Sequence, residues 1–127
     1  MALDLRYNAK GSIVDGSLAR GLDAAADEIE RQVAEFAVDE IRHRLDRVLR
    51  HPTGYYRSRI RVENEGDRAR VTDAGVVYGP WLEGVSQRNR RTRFPGYHTF
   101  RTVAQDVRRE APKIAERIVH SELGRHR

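Results

Sequence analysis

One apolar stripe, at residues 17–49, constrains the fold of this chain more than any other feature. Apolar residues recur there at steps of three, four and five, which is the spacing of one face of an amphipathic helix. The stripe consists of Leu18, Leu22, Ala25, Ile29, Val33, Phe36, Ile41, Leu45 and Val48. At about 1.5 Å per residue such a helix is roughly 50 Å long, whereas a compact domain of this size has a radius of gyration of about 14 Å. We therefore expect the helix either to kink, with Gly21 as one candidate, or to project and pack against another molecule.

Shorter alternating segments predict a small sheet. Residues 55–62 (YYRSRIRV) alternate apolar and charged side chains, residues 63–67 (ENEGD) are typical of a turn, and alternation resumes from Arg68 to Thr72. Further strands are expected at residues 3–7 and 76–82, followed by a polar loop at 85–96. A closing helix is expected at residues 99–123, kinked or split at Pro112. The prediction is a single α+β domain spanning residues 1–127, with an antiparallel sheet of three to four strands packed against the long N-terminal helix and the C-terminal helix.

The charged residues are strongly biased towards arginine and are sorted into blocks. Of 24 basic residues, only Lys10 and Lys113 are lysines. Residues 1–40 carry 4 basic and 9 acidic side chains, 41–62 carry 7 and 1, 63–87 carry 2 and 5, and 88–127 carry 11 and 4. A chain sorted in this way suits charge-complementary assembly, or an anion held on one surface.

Two arginine clusters stand out. If the predicted hairpin turns its apolar faces together, five arginines share the opposite face, and four more lie in the polar loop. They are Arg57, Arg59, Arg61, Arg68 and Arg70 on the strands, and Arg88, Arg90, Arg91 and Arg93 in the loop. Acidic groups of a partner or DNA phosphates could cover the strand face, or it could be solvated with local relief from Glu63 and Glu65. Any contact with DNA is expected to be by charge without sequence readout.

Several classes of function lack their usual sequence signals. The chain has no cysteine, which excludes a disulfide scaffold, a thiol nucleophile and cysteine-ligated metals. HExxH, GxGxxG and Walker-type motifs are absent. No apolar run approaches the roughly 20 residues that cross a bilayer, and the first residues lack the apolar core of a signal peptide. The prediction is a soluble, intracellular protein without catalytic residues, metal or cofactor.

Residues 76–101, VVYGPWLEGVSQRNRRTRFPGYHTFR, resemble a known family. It is the minor tail-component (tail completion, head–tail joining) family of long-tailed double-stranded DNA phages, in the form carried by actinobacterial phages. The matching positions are Tyr78, Trp81, Leu82, Glu83, Gly84, Phe94, Gly96, Tyr97 and Phe100. Upstream, PTGYYRSRIRV resembles the segment in which a family member leaves its long helix and enters the first hairpin strand. The order of elements covers nearly the whole chain.

The resemblance implies a non-enzymatic structural protein of the virion neck, made in the host cytoplasm. Such proteins assemble as a ring, expected to be hexameric, between the head connector and the tail tube. The implied partners are further copies of the chain, the connector, stopper, tail terminator or tail tube, and genomic DNA in the channel, with no membrane. A small basic nucleic-acid-binding protein and a small nuclease are the competing interpretations.

Roles are also expected for individual residues of this segment. Glu83, Gly84 and the four loop arginines are expected at a subunit or partner interface, with Glu83 paired to an arginine of the loop or of a neighbour. Gly84 is expected to permit a backbone bend. The motif core is expected to consist of Tyr78, Trp81, Leu82, Phe94, Tyr97 and Phe100. On this interpretation Glu83→Ala lowers ring formation more than it lowers the stability of the monomer.

Overall fold

The computed structural model describes residues 1–5, 16–49, 54–65 and 68–125. Within these ranges the elements are, in chain order, β1 (Ala2–Leu5), α1 (Gly16–Val48), α2 (Tyr55–Ser58), β2 (Arg61–Glu65), β3 (Arg68–Thr72), α3 (Gly79–Glu83), α4 (Arg88–Thr92) and α5 (Thr99–Arg125). The predicted α+β fold, with a small antiparallel sheet, a long N-terminal helix and a C-terminal helix, is confirmed. Residues 6 and 7 of the predicted first strand lie outside the described residues.

The sheet has the strand order β1-β3-β2, and both pairings are antiparallel. In its centre Val71 lies opposite Leu3 on one side and Val62 on the other. Side chains alternate between the two faces of a strand, so Ala69 and Leu5 share the face of Val71, and all three are buried. Helix α1 contacts all three strands. The hydrophobic core therefore lies between this face and the helices.

The second layer consists of α1 and α5, which pack along each other. The predicted stripe supplies the buried residues Ala25, Ile29, Val33, Ile41 and Leu45, and α5 supplies Phe100, Val103, Val107, Ile114 and Ile118. The side chains of Leu18 and Leu22 lie outside the described part of the structure. Helix α1 runs without interruption through Gly21. A helix of this length is accommodated because α5, 27 residues long, covers it from within the same chain.

The two long helices run antiparallel. Arg44, near the end of α1, donates a hydrogen bond of 3.1 Å to Asp106 in the second turn of α5, whereas Val33 lines a cleft with Ala111 further along α5. Pro112 does not split α5. Its side chain is exposed, so the carbonyl that loses its intrahelical partner can be hydrated. The start of α5 thus lies beside the end of α1.

The predicted strand at residues 55–62 is wrong over its first half. Gly54 has φ of 83°, a left-handed conformation that glycine adopts without steric cost. The chain then forms the single turn of α2, in which the Ser58 N–H donates to the Gly54 carbonyl at 3.0 Å. Tyr56 is buried in this turn. The strand begins only at Arg61 and continues through Glu65, into residues predicted as a turn.

The predicted strand at residues 76–82 is also wrong, because Gly79–Glu83 forms helix α3. Pro80 suits the first turn of a helix, since it has a fixed φ and no N–H to donate. Gly79 packs so closely on Asp73 that an added Cβ would overlap the carboxylate. The same carboxylate accepts a hydrogen bond of 2.8 Å from the Tyr56 hydroxyl. Burial, together with Asp73, raises the pKa of Tyr56, so the phenol stays protonated as the donor.

Candidate functional site

The segment between α3 and α5, residues 85–96, is the arginine loop. The sequence predicts a polar loop here, and the structure shows that the segment contains helix α4 and a set of side-chain hydrogen bonds. The Asn89 amide donates to the Trp81 carbonyl at 2.9 Å and to the Phe94 carbonyl at 2.8 Å, and its oxygen accepts the Ser86 N–H at 2.9 Å. The Trp81 indole N–H donates to the Thr92 hydroxyl at 2.9 Å. The arginine loop is therefore built by its polar side chains.

Aromatic ring contacts join the loop to the residues on either side of it. The Trp81 and Phe94 ring centroids are 4.6 Å apart, and the Phe94 and Tyr97 centroids are 4.9 Å apart in an edge-on arrangement, a favourable aromatic geometry. Phe100 is buried. These contacts bring most of the predicted motif core together, with Leu82 partly buried against the hydrophobic core.

Tyr78 departs from its predicted place in the motif core. Its side chain is 39% exposed, and its ring contacts Tyr56 of α2, at a centroid distance of 5.7 Å. The prediction fails because residues 77 and 78 precede a short helix and do not belong to a strand with one buried face.

The base of the arginine loop is a crossing of two glycines. Gly84 and Gly96 have φ of 98° and 89°, and a Cβ added to Gly96 would overlap the backbone of Gly84. The Tyr97 N–H donates to the Leu82 carbonyl at 2.7 Å beside this crossing. The bend predicted at Gly84 is confirmed. The contact with Gly96 has no signal in the sequence apart from the presence of a second glycine.

Glu83 has a role inside the monomer that the sequence interpretation did not include. Its side chain is buried, and its two carboxylate oxygens accept the backbone N–H groups of Phe100 at 2.8 Å and Arg101 at 3.0 Å. These N–H groups belong to the first turn of α5, where they have no partner within the helix. Glu83 therefore caps α5 and joins it to α3. The carboxylate is thus engaged by backbone N–H groups and not by an arginine of the loop, and its loss is expected to lower the stability of the monomer directly.

The predicted face of five arginines does not form. Arg57 belongs to α2, where it pairs with Asp46 at 3.0 Å, and Arg59 follows that helix. Arg61, Arg68 and Arg70 do lie on the strands. Arg70 pairs with Asp4 of β1 at 2.8 Å.

Two of the strand arginines, Arg61 and Arg70, form ion pairs within the sheet. Arg61 pairs with Glu63 at 3.0 Å, and Arg68 lies opposite Glu65 in the register. Strand β1 places Asp4 opposite Arg70. On the outer face of the sheet, the side chains of Arg61 and Arg70 are therefore each paired with a carboxylate.

The guanidinium groups of the arginine loop are not balanced. Arg88, Arg90, Arg91 and Arg93 are all exposed, and no acidic residue occurs between Gly84 and Gln105. Within the described ranges, none of the four has an ion-pair partner. The four predicted interface arginines thus share one scaffold, and the contacts that build this scaffold do not neutralise their charge.

Exposed apolar side chains adjoin the arginine loop, and sequence reasoning did not identify them as a surface. Val77 is 90% exposed and Val85 is 64% exposed, at the two ends of α3. Together with Tyr55 and with Tyr78, whose ring contacts Tyr56, they account for the exposed large hydrophobic residues of the described ranges. These four residues are called the apolar patch. Its only sequence signal is the run Val76–Val77–Tyr78, which was assigned to a strand.

We expect Asn89→Ala to loosen the arginine loop without unfolding the chain. The substitution removes three hydrogen bonds that close the loop, each contributing about 1 kcal/mol. Hydrogen exchange at the Ser86 amide, which loses its acceptor, should quicken by at least about tenfold. Gln87→Ala, at the exposed neighbouring position, is the control and should leave the exchange rate unchanged. Equal protection in both variants would show that Asn89 does not order the loop.

No group of three or more His, Asp or Glu side chains that could hold a metal ion occurs among the described residues. None of the helices in those ranges is long and apolar enough to span a membrane. No protein family, curated protein or solved structure matches the chain.

Proposed function

We propose that this chain is a structural protein of a phage virion, which assembles as a ring and joins the head connector to the tail tube. The observation that carries the proposal is the arginine loop: four exposed, unpaired guanidinium groups on a scaffold fixed by side-chain hydrogen bonds. The segment that builds this scaffold, residues 76–101, is the one that resembles the minor tail-component family.

The geometry suits binding to another protein. A loop already held in one conformation loses little conformational entropy on binding, so more of the interaction energy appears as affinity. Arginine binds carboxylates through two parallel hydrogen bonds. A surface of this kind on one copy can engage a different surface on the next, and repeated contacts close into a ring when the rotation allows. The proposed ring is sixfold, to match the tail.

The proposal includes the surroundings of the ring. Its place is the neck of the virion, and the chain is made in the host cytoplasm. Its partners are the connector or stopper on one side and the tail terminator or tail tube on the other. Genomic DNA passes through the lumen and is contacted by charge alone. The role requires no cofactor and no catalysis.

Inactivating the gene in the phage genome that carries it tests the proposal directly. We expect mutant lysates to contain DNA-filled heads and complete tails that are not joined, as seen by electron microscopy. Adding the purified chain to the lysate should produce joined, infectious particles. Normal particles from the mutant, or heads that never fill, would contradict a joining role.

A second candidate function is nucleic-acid binding by the free protein. The observation that favours it is the absence of acidic residues around the loop arginines between Gly84 and Gln105. This function requires tight binding of duplex DNA whose log affinity falls by about 0.9 per neutralised phosphate for each decade of salt. The joining role requires weak binding by the free chain. Titration of a labelled duplex at several salt concentrations separates the two.

A further inference from the structure

We infer that the arginine loop and the apolar patch of one copy dock into a groove between α1 and the β2–β3 hairpin of a second copy. The inference deepens the proposed function, since it rests on assembly of the chain and names the two surfaces that meet. It does not depend on the presence of a phage particle.

The docking surface has the composition of a protein interface. Tyrosine and arginine are enriched in the energetically important part of such interfaces. Here Tyr78, Val77 and Val85 supply apolar area, and Arg90 and Arg91 lie in the adjoining helix α4. An apolar side chain such as that of Val77, which is 90% exposed, contributes no favourable contact to a DNA phosphate. The apolar patch therefore favours a protein as the occupant.

The groove is complementary to this surface in chemistry. It has a volume of about 350 Å³, and its apolar wall is formed by Ala34 of α1 together with Val62 and Ala69 of the hairpin. Its charged lining consists of Asp27, Glu30, Arg31 and Glu35 of α1, of which Asp27 and Glu35 are exposed carboxylates. Apolar side chains flanked by carboxylates thus match apolar side chains flanked by guanidinium groups.

The charge around the groove is strongly negative. Residues 27–40 of α1 contain six acidic side chains and one basic side chain, Arg31. Arg31 is engaged within the helix, where it bonds to Glu28 and to Glu35. The groove lining itself contains three carboxylates and one guanidinium, so it carries a net negative charge. Attraction between the two surfaces would also speed their encounter.

The two surfaces lie at different places in the fold. The arginine loop is joined to the start of α5, and Asp106 near that start bonds to Arg44 near the end of α1. The groove lies beside Asp27 to Glu35 of α1, so its centre is about 20 Å from Arg44 along the helix. One copy can therefore hold two neighbours at once. Contacts between two different surfaces build rings or filaments and are not limited to dimers.

Two variants, each defective in one surface, test this arrangement. The loop variant combines Arg90→Glu with Arg91→Glu, and the groove variant combines Asp27→Asn with Glu35→Gln, so that the two altered surfaces are not complementary to each other. All four residues are exposed, and circular dichroism should confirm that both variants fold. Sedimentation velocity should show oligomers for the wild type and monomers for each variant alone, with self-association weakened at least about 100-fold.

Mixing the variants gives the decisive result. The loop variant keeps an intact groove, and the groove variant keeps an intact arginine loop. A mixture should therefore form a one-to-one dimer that grows no further. As a control, Lys113→Glu combined with Arg117→Glu makes the same change in charge as the loop variant, at exposed positions of α5. This control should assemble as the wild type does.

The other outcomes each contradict the inference in a recognisable way. Variants that assemble like the wild type, or a mixture that stays monomeric, would exclude this pair of surfaces. A wild-type chain that remains monomeric at about 1 mM would show that the surfaces have no useful affinity. A loop variant that assembles normally but loses duplex DNA binding would assign the loop to nucleic acid. A mixed dimer, with heads and tails that the wild type does not join, would retain the inference and exclude the proposed function.

Discussion

Glu83→Ala is expected to lower the free energy of unfolding by about 3 kcal/mol, because two backbone N–H groups at the start of α5 lose a charged, buried acceptor. The same substitution breaks the connection between α3 and α5, so the arginine loop should lose order as well. Urea unfolding followed by circular dichroism measures the change as a lower midpoint with an unchanged slope.

Two further variants separate capping by Glu83 from a general effect of charge. Glu83→Gln keeps one acceptor oxygen, and its stability should lie between those of the wild type and Glu83→Ala. Glu116→Ala removes an exposed carboxylate from α5 and should change stability by less than about 0.5 kcal/mol. A Glu83→Ala chain that is as stable as the wild type but fails to assemble would instead support the interface role inferred from the sequence.

Gly96→Ala is expected to be at least as damaging, with a loss of about 3–4 kcal/mol. Two effects combine at this position. The backbone has φ of 89°, which costs an L-residue about 1–2 kcal/mol. In addition, the new Cβ would overlap the backbone of Gly84, which has no flexible end that can move aside. Thermal unfolding and hydrogen exchange at the Tyr97 amide, bonded to Leu82 beside the crossing, should both report the damage.

Gly75→Ala provides a matched control for backbone strain alone. Gly75 also has a positive φ, of 75°, but nothing lies within 4 Å of an added Cβ. Its substitution should therefore cost only the conformational penalty of about 1–2 kcal/mol. Equal losses in the two variants would mean that the glycine crossing contributes nothing beyond the dihedral angles.

The long helices could be predicted because their signals are long. The stripe from Ala25 to Val48 repeats over many turns, and the apolar face from Phe100 to Ile118 does the same, so one misplaced residue cannot change the period. The segments around Tyr56 and Trp81 are shorter than two turns of helix, and alternation over so few residues fits either a strand or a single helical turn. Their conformations are decided by contacts distant in the sequence, such as that of Gly79 with Asp73.

The candidate site was partly visible in the sequence. Composition alone identified the loop arginines, because four of them lie close together without an acid. The scaffold could not be read in the same way, since Asn89 and Thr92 are ordinary polar loop residues until their partners are known. The role of Glu83 has no local sequence signal, because the two N–H groups that donate to it are 17 and 18 residues away. Of the valines in the apolar patch, Val77 falls in the predicted strand at residues 76–82 and Val85 in the predicted polar loop, so the sequence does not predict that they belong to one surface.

The glycine crossing and the cap by Glu83 leave the arginine loop without a hinge of its own. Its orientation is set by the first turn of α5, a helix of 27 residues and about 40 Å. A rotation of α5 by about 5° about its far end would displace the loop by roughly 3 Å, which is enough to break a bond between a guanidinium and a carboxylate. A contact near residue 120 that tilts α5 would therefore move the arginine loop. Binding at one end of the helix would in this way change the bonds that the loop makes with a partner at the other end.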